Sequence, residues 1–437
     1  MKKRKFLPML SFLLVAMLIN PVFANGLIAD CQGNLTISAG GGHAMVIRED
    51  GSLWTWGING NGQLGNGDGG DLWRFENLPI KVMDGVVGIS AGGAHSLAIT
   101  DDSSLWAWGW NILGQIGDGT MVDRFVPTMI LEDVIQVCAG DMHSLALKND
   151  GSLWAWGSGL YGRVGYAVDE AVLTPVKIMD DVIYISAGYF HSMAIRSDGS
   201  LWAWGGNRFG QLGDGTLDDR HEPVFIMDNV INVSAGENHS LAIQEDGSLW
   251  VWGSNEFGKF GDGTYSSFYE FFPHPIKVMD YVYAVSAGRY HTVAILTDGS
   301  VWSWGSNNHG ELGIGMEAIF WTFEPMPTKV MDNAVSVAAG TGFTLALNTD
   351  GEVLGWGFNE FGQLGDGTSE NRTAPVSIID NALLPGTDRV TSNTPNMRNS
   401  IFIIIGLSFF LLLVSLIAIL YFTKNSHKNK QSKRKRR

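Results

Sequence analysis

The dipeptide Ala-Gly recurs at residues 39, 91, 139, 187, 235, 287 and 339, so the chain repeats itself every 48 or 52 residues. A period near 50 without helical patterning calls for units that bury their apolar faces on one another. In one such unit, "HSMAIRSDGSLWAWG", the residues alternate at the strand period: His191, Met193 and Ile195 take one face, Ser192 and Ala194 the other. Asp198-Gly199 predicts a two-residue hairpin turn, because glycine tolerates positive φ. The return strand sets Leu201 and Ala203 against Trp202 and Trp204. A glycine-rich piece, "GGNRFGQLGDGT", marks sharp turns, and "PVFIMDNVINVSAG" supplies two further strands. Four short strands per unit and seven units predict an all-β, seven-bladed propeller. A helical solenoid is excluded, since glycine costs ~1 kcal/mol per helix-interior position.

The shared pattern, A-G-x-x-H-[ST]-x-A-[IL]-x-x-D-G-S-[LV]-W-x-W-G-x-N-x-x-G-[QE]-L-G-x-G, resembles the repeat of the RCC1 family, in the arrangement also found in β-lactamase-inhibitory protein II. The resemblance covers residues 37–384 and implies a closed ring of the RCC1 type. Single copies drift: the seventh has Phe343 for the histidine and Leu354 for the first tryptophan, the second has Ser103 for the turn glycine, and the third reads "WGSGLYGRVGYAVDE". "NLTISAG" near the start and "APVSIIDNALL" near the end predict that the two termini meet in one blade and shut the ring, removing free sheet edges.

The ends carry an address. Residues 1–24 combine a basic cluster, Lys2 to Lys5, with a short apolar run and small residues at a cleavage site, which reads as a secretory signal peptide. Residues 25–36 are expected to hold the ring-closing strand, 37–384 the seven repeats and 385–400 a polar stalk. Residues 401–422 are uncharged and long enough to cross a bilayer as one transmembrane helix. Residues 423–437 hold eight Lys or Arg and no acid, so the positive-inside rule makes them a cytoplasmic tail. The expected location is a cell membrane crossed once, with the propeller outside. Between the basic ends lie all 44 acids and only 17 basic residues, a net charge of −27 that disfavours nucleic acid and favours a basic partner. Cys31 and Cys138 are the only cysteines, too few for a disulfide framework, and Cys138 stands where other copies have Ser or Ala, as a packing residue would.

The conspicuous side chains read as scaffold. His43, His95, His143, His191, His239 and His291 belong to different sheets, and sheets pack ~10 Å apart, too far for shared zinc ligation. Phe343 at the seventh position fits this, because a phenyl ring fills space and ligates nothing. Trp56, Trp108, Trp156, Trp204, Trp252, Trp304 and Trp356 are assigned to packing between units. "GNGQLG" at 60–65 has no helix behind it to receive a phosphate, "GDGT" lacks a phosphate-loop lysine, and "NGDGGD" at 66–71 fails calcium-loop spacing. No nucleophile with an activating base stands apart from the repeat, so no catalytic residue, metal or cofactor is expected.

Irregularity points elsewhere. The three longer intervals carry Trp73, Phe75, Phe268, Tyr269, Phe271, Phe272, Phe320, Trp321 and Phe323, all at one place in the repeat and therefore on one rim. Exposed aromatics are a mark of recognition surfaces. The expected function is a non-catalytic, protein-binding, monomeric ring at the cell surface, its partner an extracellular protein. The resemblance implies two rivals: guanine-nucleotide exchange on a GTPase, and inhibition of an extracellular enzyme.

Overall fold

The computed structural model describes residues 35–71, 73–166, 168–266, 270–316 and 321–385. The segments assigned to the signal peptide, transmembrane helix and tail lie outside them, as do Cys31, Phe268, Tyr269 and Phe320. Among the described residues no helix is long and apolar enough to cross a membrane.

Seven four-stranded antiparallel sheets follow one another along the chain, each with its strands in sequence order from centre to rim. The fourth blade illustrates all of them: Val182–Ala187, His191–Arg196, Leu201–Gly205 and Arg220–Met227. The first strands of the blades line a central channel. Because the strands alternate in direction, the loops after the first and third strands of every blade share one face, here called upper. The hairpins after the second strand and the links to the next blade share the lower face.

The hairpin differs from expectation. Arg196 N donates to Ser200 O at 3.0 Å and Gly199 N to Arg196 O at 2.9 Å, leaving three residues in the loop. Gly199 closes it at φ +80°, and Asp198 Oδ1 accepts from Ser200 N at 3.0 Å. The alternation in the strands carries no information about loop length, and a turn ending in a left-handed residue accommodates the strand twist with three residues as well as two. Ser103, in the second copy, holds the same conformation at φ 66° without being glycine.

The core is seven layers between blades. One holds Met193, Ile195, Leu201 and Leu212 of the fourth blade with Val230, Val233, Ala242 and Trp252 of the fifth. Both faces of the second strand are buried, so its alternation sorts residues between two neighbouring layers rather than between core and solvent. Trp252 Nε1 donates to Gln211 O at 2.8 Å, and its ring lies against Gly213, where a Cβ would come within 2.7 Å of Nε1.

A second polar thread crosses the same layers. His191 Nε2 meets Ser240 Oγ at 2.7 Å, and Ser240 Oγ donates to Gln211 O at 2.7 Å. The hydroxyl proton is spent on the carbonyl, so the imidazole donates from Nε2. The same relay runs from His43 to Ser96, His95 to Ser144, His143 to Ser192, His239 to Thr292 and His291 to Thr344. Nearer the channel, Ala91, Ala139, Ala235, Ala287 and Ala339 donate their N–H groups to Ser38, Ser90, Ser186, Ser234 and Ser286 of the preceding blade. Cys138 is more than packing here: its Sγ accepts from Ala187 N at 3.3 Å, in the place of serine oxygen.

The seventh seam, between the last blade and the first, is built otherwise. Phe343 replaces the histidine, Ala44 stands where its hydroxyl partner would be, and Ala338 replaces the channel serine; all three are buried in one apolar cluster with Trp56 and Ile37. Trp56 Nε1 still donates to Gln363 O at 2.9 Å. The chain ends meet in the first blade. Glu49 N donates to Asn381 O and Leu383 N to Ile47 O, while Thr36 O accepts from Ile47 N. Asn381–Leu383 thus supplies the lower half of a composite innermost strand and Thr36–Ala39 the upper half; of the segment 25–36 only Leu35 and Thr36 are among the described residues.

Swapping the two seam chemistries tests this account. Phe343→His alone places an imidazole without a hydroxyl and is expected to cost about 2 kcal/mol in urea unfolding. Adding Ala44→Ser should restore at least half of that loss; equal stability of the single and double variants would contradict the relay.

Candidate functional site

Exposed large apolar side chains concentrate on the upper face. Trp73, Tyr265 and Trp321 are 76%, 64% and 57% exposed, and Ile112, Met121, Val122, Tyr161 and Leu217 also stand out on its glycine-rich loops. The loops themselves are rigidly built. Asn207 Oδ1 accepts from Leu212 N at 3.0 Å, and Asp214 of "GDGT" accepts from Thr216 N at 3.0 Å and from Arg220 Nε at 2.7 Å, all internal to the loop. The lower face is acidic: Asp50, Asp102, Asp150, Asp198, Asp246 and Asp298 are exposed at its hairpins, with Asp84, Asp133 and Asp228 on its links.

The aromatic residues of the rim sort into tips and supports. Trp73 and Phe75 of the first blade lie 6.4 and 6.3 Å from Phe361 of the seventh, which contacts Phe358 at 6.0 Å; Phe358 in turn stacks on His309 of the sixth at 4.6 Å. Beside His309, Asn308 Oδ1 accepts from Trp321 N at 2.6 Å. Trp321 and Phe323 pack on Phe257 of the fifth blade at 5.8 and 6.3 Å. Two aromatic groups result, one across blades six, seven and one and the other across blades five and six, and the bond from Trp321 N to Asn308 joins them. Phe271 leans on Phe209 of the fourth blade at 5.2 Å. Phe272 turns inward onto core Phe260 at 5.3 Å and supports the blade rather than the surface.

Phe209, Phe257, Phe358 and Phe361 complete this surface and escape a reading based on loop length, because they lie at the constant-length loop tip and not among the extra residues. The signal of Phe209, Phe257 and Phe361 is the aromatic in N-x-F-G at the loop tip, and Phe358 immediately precedes that motif in blade seven. In most blades that tip is held by a side chain: Phe209 N donates to Gln211 Oε1 and Phe361 N to Gln363 Oε1, both at 2.9 Å. Arg163 and Lys259 replace this glutamine in blades three and five and carry no acceptor. There the tip residues Tyr161 and Phe257 adopt φ 64° and 61° instead.

The upper mouth of the channel holds the charged groups. Arg289 Nε donates to Glu237 at 2.9 Å and its guanidinium lies over Tyr290 at 4.9 Å. Tyr189 reaches across the opening to bond the Thr341 hydroxyl. Arg163 is buried against Tyr161 and Phe190. Lys259 is fully buried with no hydrogen-bond partner for Nζ among the described residues, and burial draws its pKa down to about 8.

This architecture agrees with comparison to known proteins. A profile described as "RCC1-like domain" matches residues 20–318, and the "Regulator of chromosome condensation (RCC1) repeat" matches 298–347 and 350–392. The chain belongs to the RCC1-like family. It is 37% identical over 97 residues to the ultraviolet-B receptor of Arabidopsis thaliana, covering 21% of each chain. It is 36% identical over 109 residues to a mitochondrial RCC1 domain-containing protein of the same plant, covering 24% of each. The matched stretch thus spans a quarter or less of these relatives' lengths. Two solved structures share the fold: human WBSCR16, with TM-score 0.67 and 21% identity over 75% of this chain and 94% of that one, and Prp20p from Saccharomyces cerevisiae, with TM-score 0.66 and 24% identity over 77% and 88%.

The six histidines each occupy a separate seam, fully buried, bonded through Nε2 and without a partner for Nδ1. Among the described residues no group of His, Cys, Asp and Glu converges as metal ligands do. Burial lowers the pKa of His43 and His291 to about 4 and of His95 and His191 to about 3. Unfolded imidazoles take up protons near pH 6.5. Their contribution to stability is therefore complete above that value and is lost as pH falls toward 4, by up to about 1.4 kcal/mol per pH unit per histidine. Urea midpoints measured from pH 7.5 down to 4.5 should fall steeply, and His191→Phe with Ser240→Ala should make the fall shallower by about one proton; an unchanged slope would count against buried neutral rings.

Proposed function

We propose that this RCC1-like chain is a non-catalytic protein-binding propeller, displayed outside the cell by the single span at residues 401–422. The observation that carries the binding reading is the pair of adjoining aromatic groups that spans blades five, six, seven and one. Aromatic side chains on rigid loops supply large apolar contact area at small entropic cost, which is what a protein-docking surface requires. The acidic lower face exposes fewer large apolar side chains among the described residues, Tyr281, Ile135 and Ile183.

The relatives bear on the choice of partner only by analogy. Prp20p is described with its binding to Gsp1p and histones, and both are proteins. In this reading the present chain keeps the protein-binding habit of the fold and applies it to a partner outside the cell, with no reaction catalysed.

Two measurements test the proposal. Protease added to intact cells is expected to remove the ring while a cytoplasmic marker survives; a protected ring would overturn the surface location and favour nucleotide exchange on a cytosolic GTPase. Partners cross-linked to the full-length chain should map to the upper face. Trp73→Ala with Trp321→Ala and Phe361→Ala should weaken their binding at least about tenfold while leaving the melting temperature within a few degrees. Unchanged binding would refute the aromatic face as the docking surface.

A further inference from the structure

The residues that follow each Ala-Gly form one ring around the upper mouth of the channel: Gly41, Gly93, Asp141, Tyr189, Glu237, Arg289 and Thr341. Their pairing is complete but for one. Tyr189 and Thr341 join hydroxyls across the opening, and Arg289 is bonded to Glu237 at 2.9 Å. The two glycines carry no side chain. That leaves Asp141, which among the described residues makes no side-chain hydrogen bond or ion pair. Its carboxylate leans over Gly93, where a Cβ would fall 2.3 Å from Oδ1, and burial raises its pKa despite the nearby cations.

The nearest of those cations is already engaged. Arg163 donates from Nε to Leu160 O and from Nη1 to Tyr189 O, both at 3.1 Å, while its plane is held by Tyr161 and Phe190. Asp141 is thus a partly desolvated carboxylate without a counter-ion in contact among the described residues, set at the channel mouth on the upper face beside an edge made of bare backbone. A partly buried anion is costly until a cation meets it, and a charge pair at the dry centre of an interface is where binding energy concentrates.

We propose that Asp141 anchors a lysine or arginine side chain that a protein partner inserts into the channel mouth over Gly41 and Gly93, while the apolar surface around that side chain rests on the aromatic collar. This rests on the upper face being the docking surface and adds the chemistry of what docks. The two glycines leave the approach to the carboxylate unobstructed. The strongly negative charge of the ring draws a basic partner toward it.

The test selects phage-displayed random dodecapeptides on the full-length chain in detergent, in parallel with its Asp141→Asn, Asp141→Gly and combined Trp73→Ala/Trp321→Ala variants. Glycine is the residue that blades one and two already carry at this position, so at least one Asp141 variant is expected to melt within a few degrees of the parent. Peptides enriched on the parent should carry Lys or Arg flanked by apolar residues and be lost from both the Asp141 and the tryptophan variants. Replacing their arginine by neutral citrulline should weaken binding at least about tenfold on the parent and leave the Asp141→Asn variant unaffected. Peptides lost from the tryptophan variant but retained by Asp141→Asn, or enriched without basic residues, would overturn the anchor and leave the docking surface standing. Peptides retained by the tryptophan variant, or no enrichment at all, would overturn both.

Discussion

One backbone carbonyl per seam holds this molecule together. Gln211 O accepts Trp252 Nε1 at 2.8 Å and Ser240 Oγ at 2.7 Å from the next blade, so both of its lone pairs are used across the boundary. Such groups are buried, and leaving one unmet costs roughly 1–3 kcal/mol. The carbonyl therefore dictates what the neighbouring blade must present, an indole on one strand and a hydroxyl on the adjacent one, while an imidazole of the carbonyl's own blade occupies the hydroxyl's remaining acceptor site. Register between sheets that share no strand pairing comes from these directed bonds, and the apolar layer around them supplies the larger but undirected attraction.

This division of labour explains which residues recur and which wander. Tryptophan survives at the second position in all seven blades because its N–H has a fixed target; the first position, where Trp202 lies only half-buried beneath Arg196, tolerates Leu354. The glycine beneath each indole is held by contact distance. Away from the seams the residues vary more, and the upper loops hold side chains as different as Leu113, Tyr161 and His309 at corresponding tips.

Much of this was readable from the chain alone because its signal is repetition. The interval between Ala-Gly pairs sets the blade count, and the alternation in "HSMAIR" sets the strand. What escaped reading depends on proximity across long separations. Phe343 stands out as a departure in its own copy, but its complement is Ala44, nearly three hundred residues away, and Ala338 acquires meaning only beside both. The same holds for the channel mouth: Asp141 with Arg163, and Glu237 with Lys259, are paired departures within blades three and five. A consensus that averages over copies erases them. Loop length singled out Trp73 and Trp321, which are exposed, but could not separate Phe272, which faces the core, from its neighbour Phe271.

The composite innermost strand of the first blade has a consequence for how the chain matures. As synthesis proceeds from the amino terminus, the five blades from the third to the seventh can each dock on a finished predecessor, whereas the first waits with an incomplete inner edge until Asn381–Leu383 emerges. An unpaired edge is a hazard for sticking to other chains. The last boundary is also the one freed of histidine and hydroxyl, so final closure needs only greasy surfaces to slide together, without aligning a directed relay in the step that must bring distant termini into register.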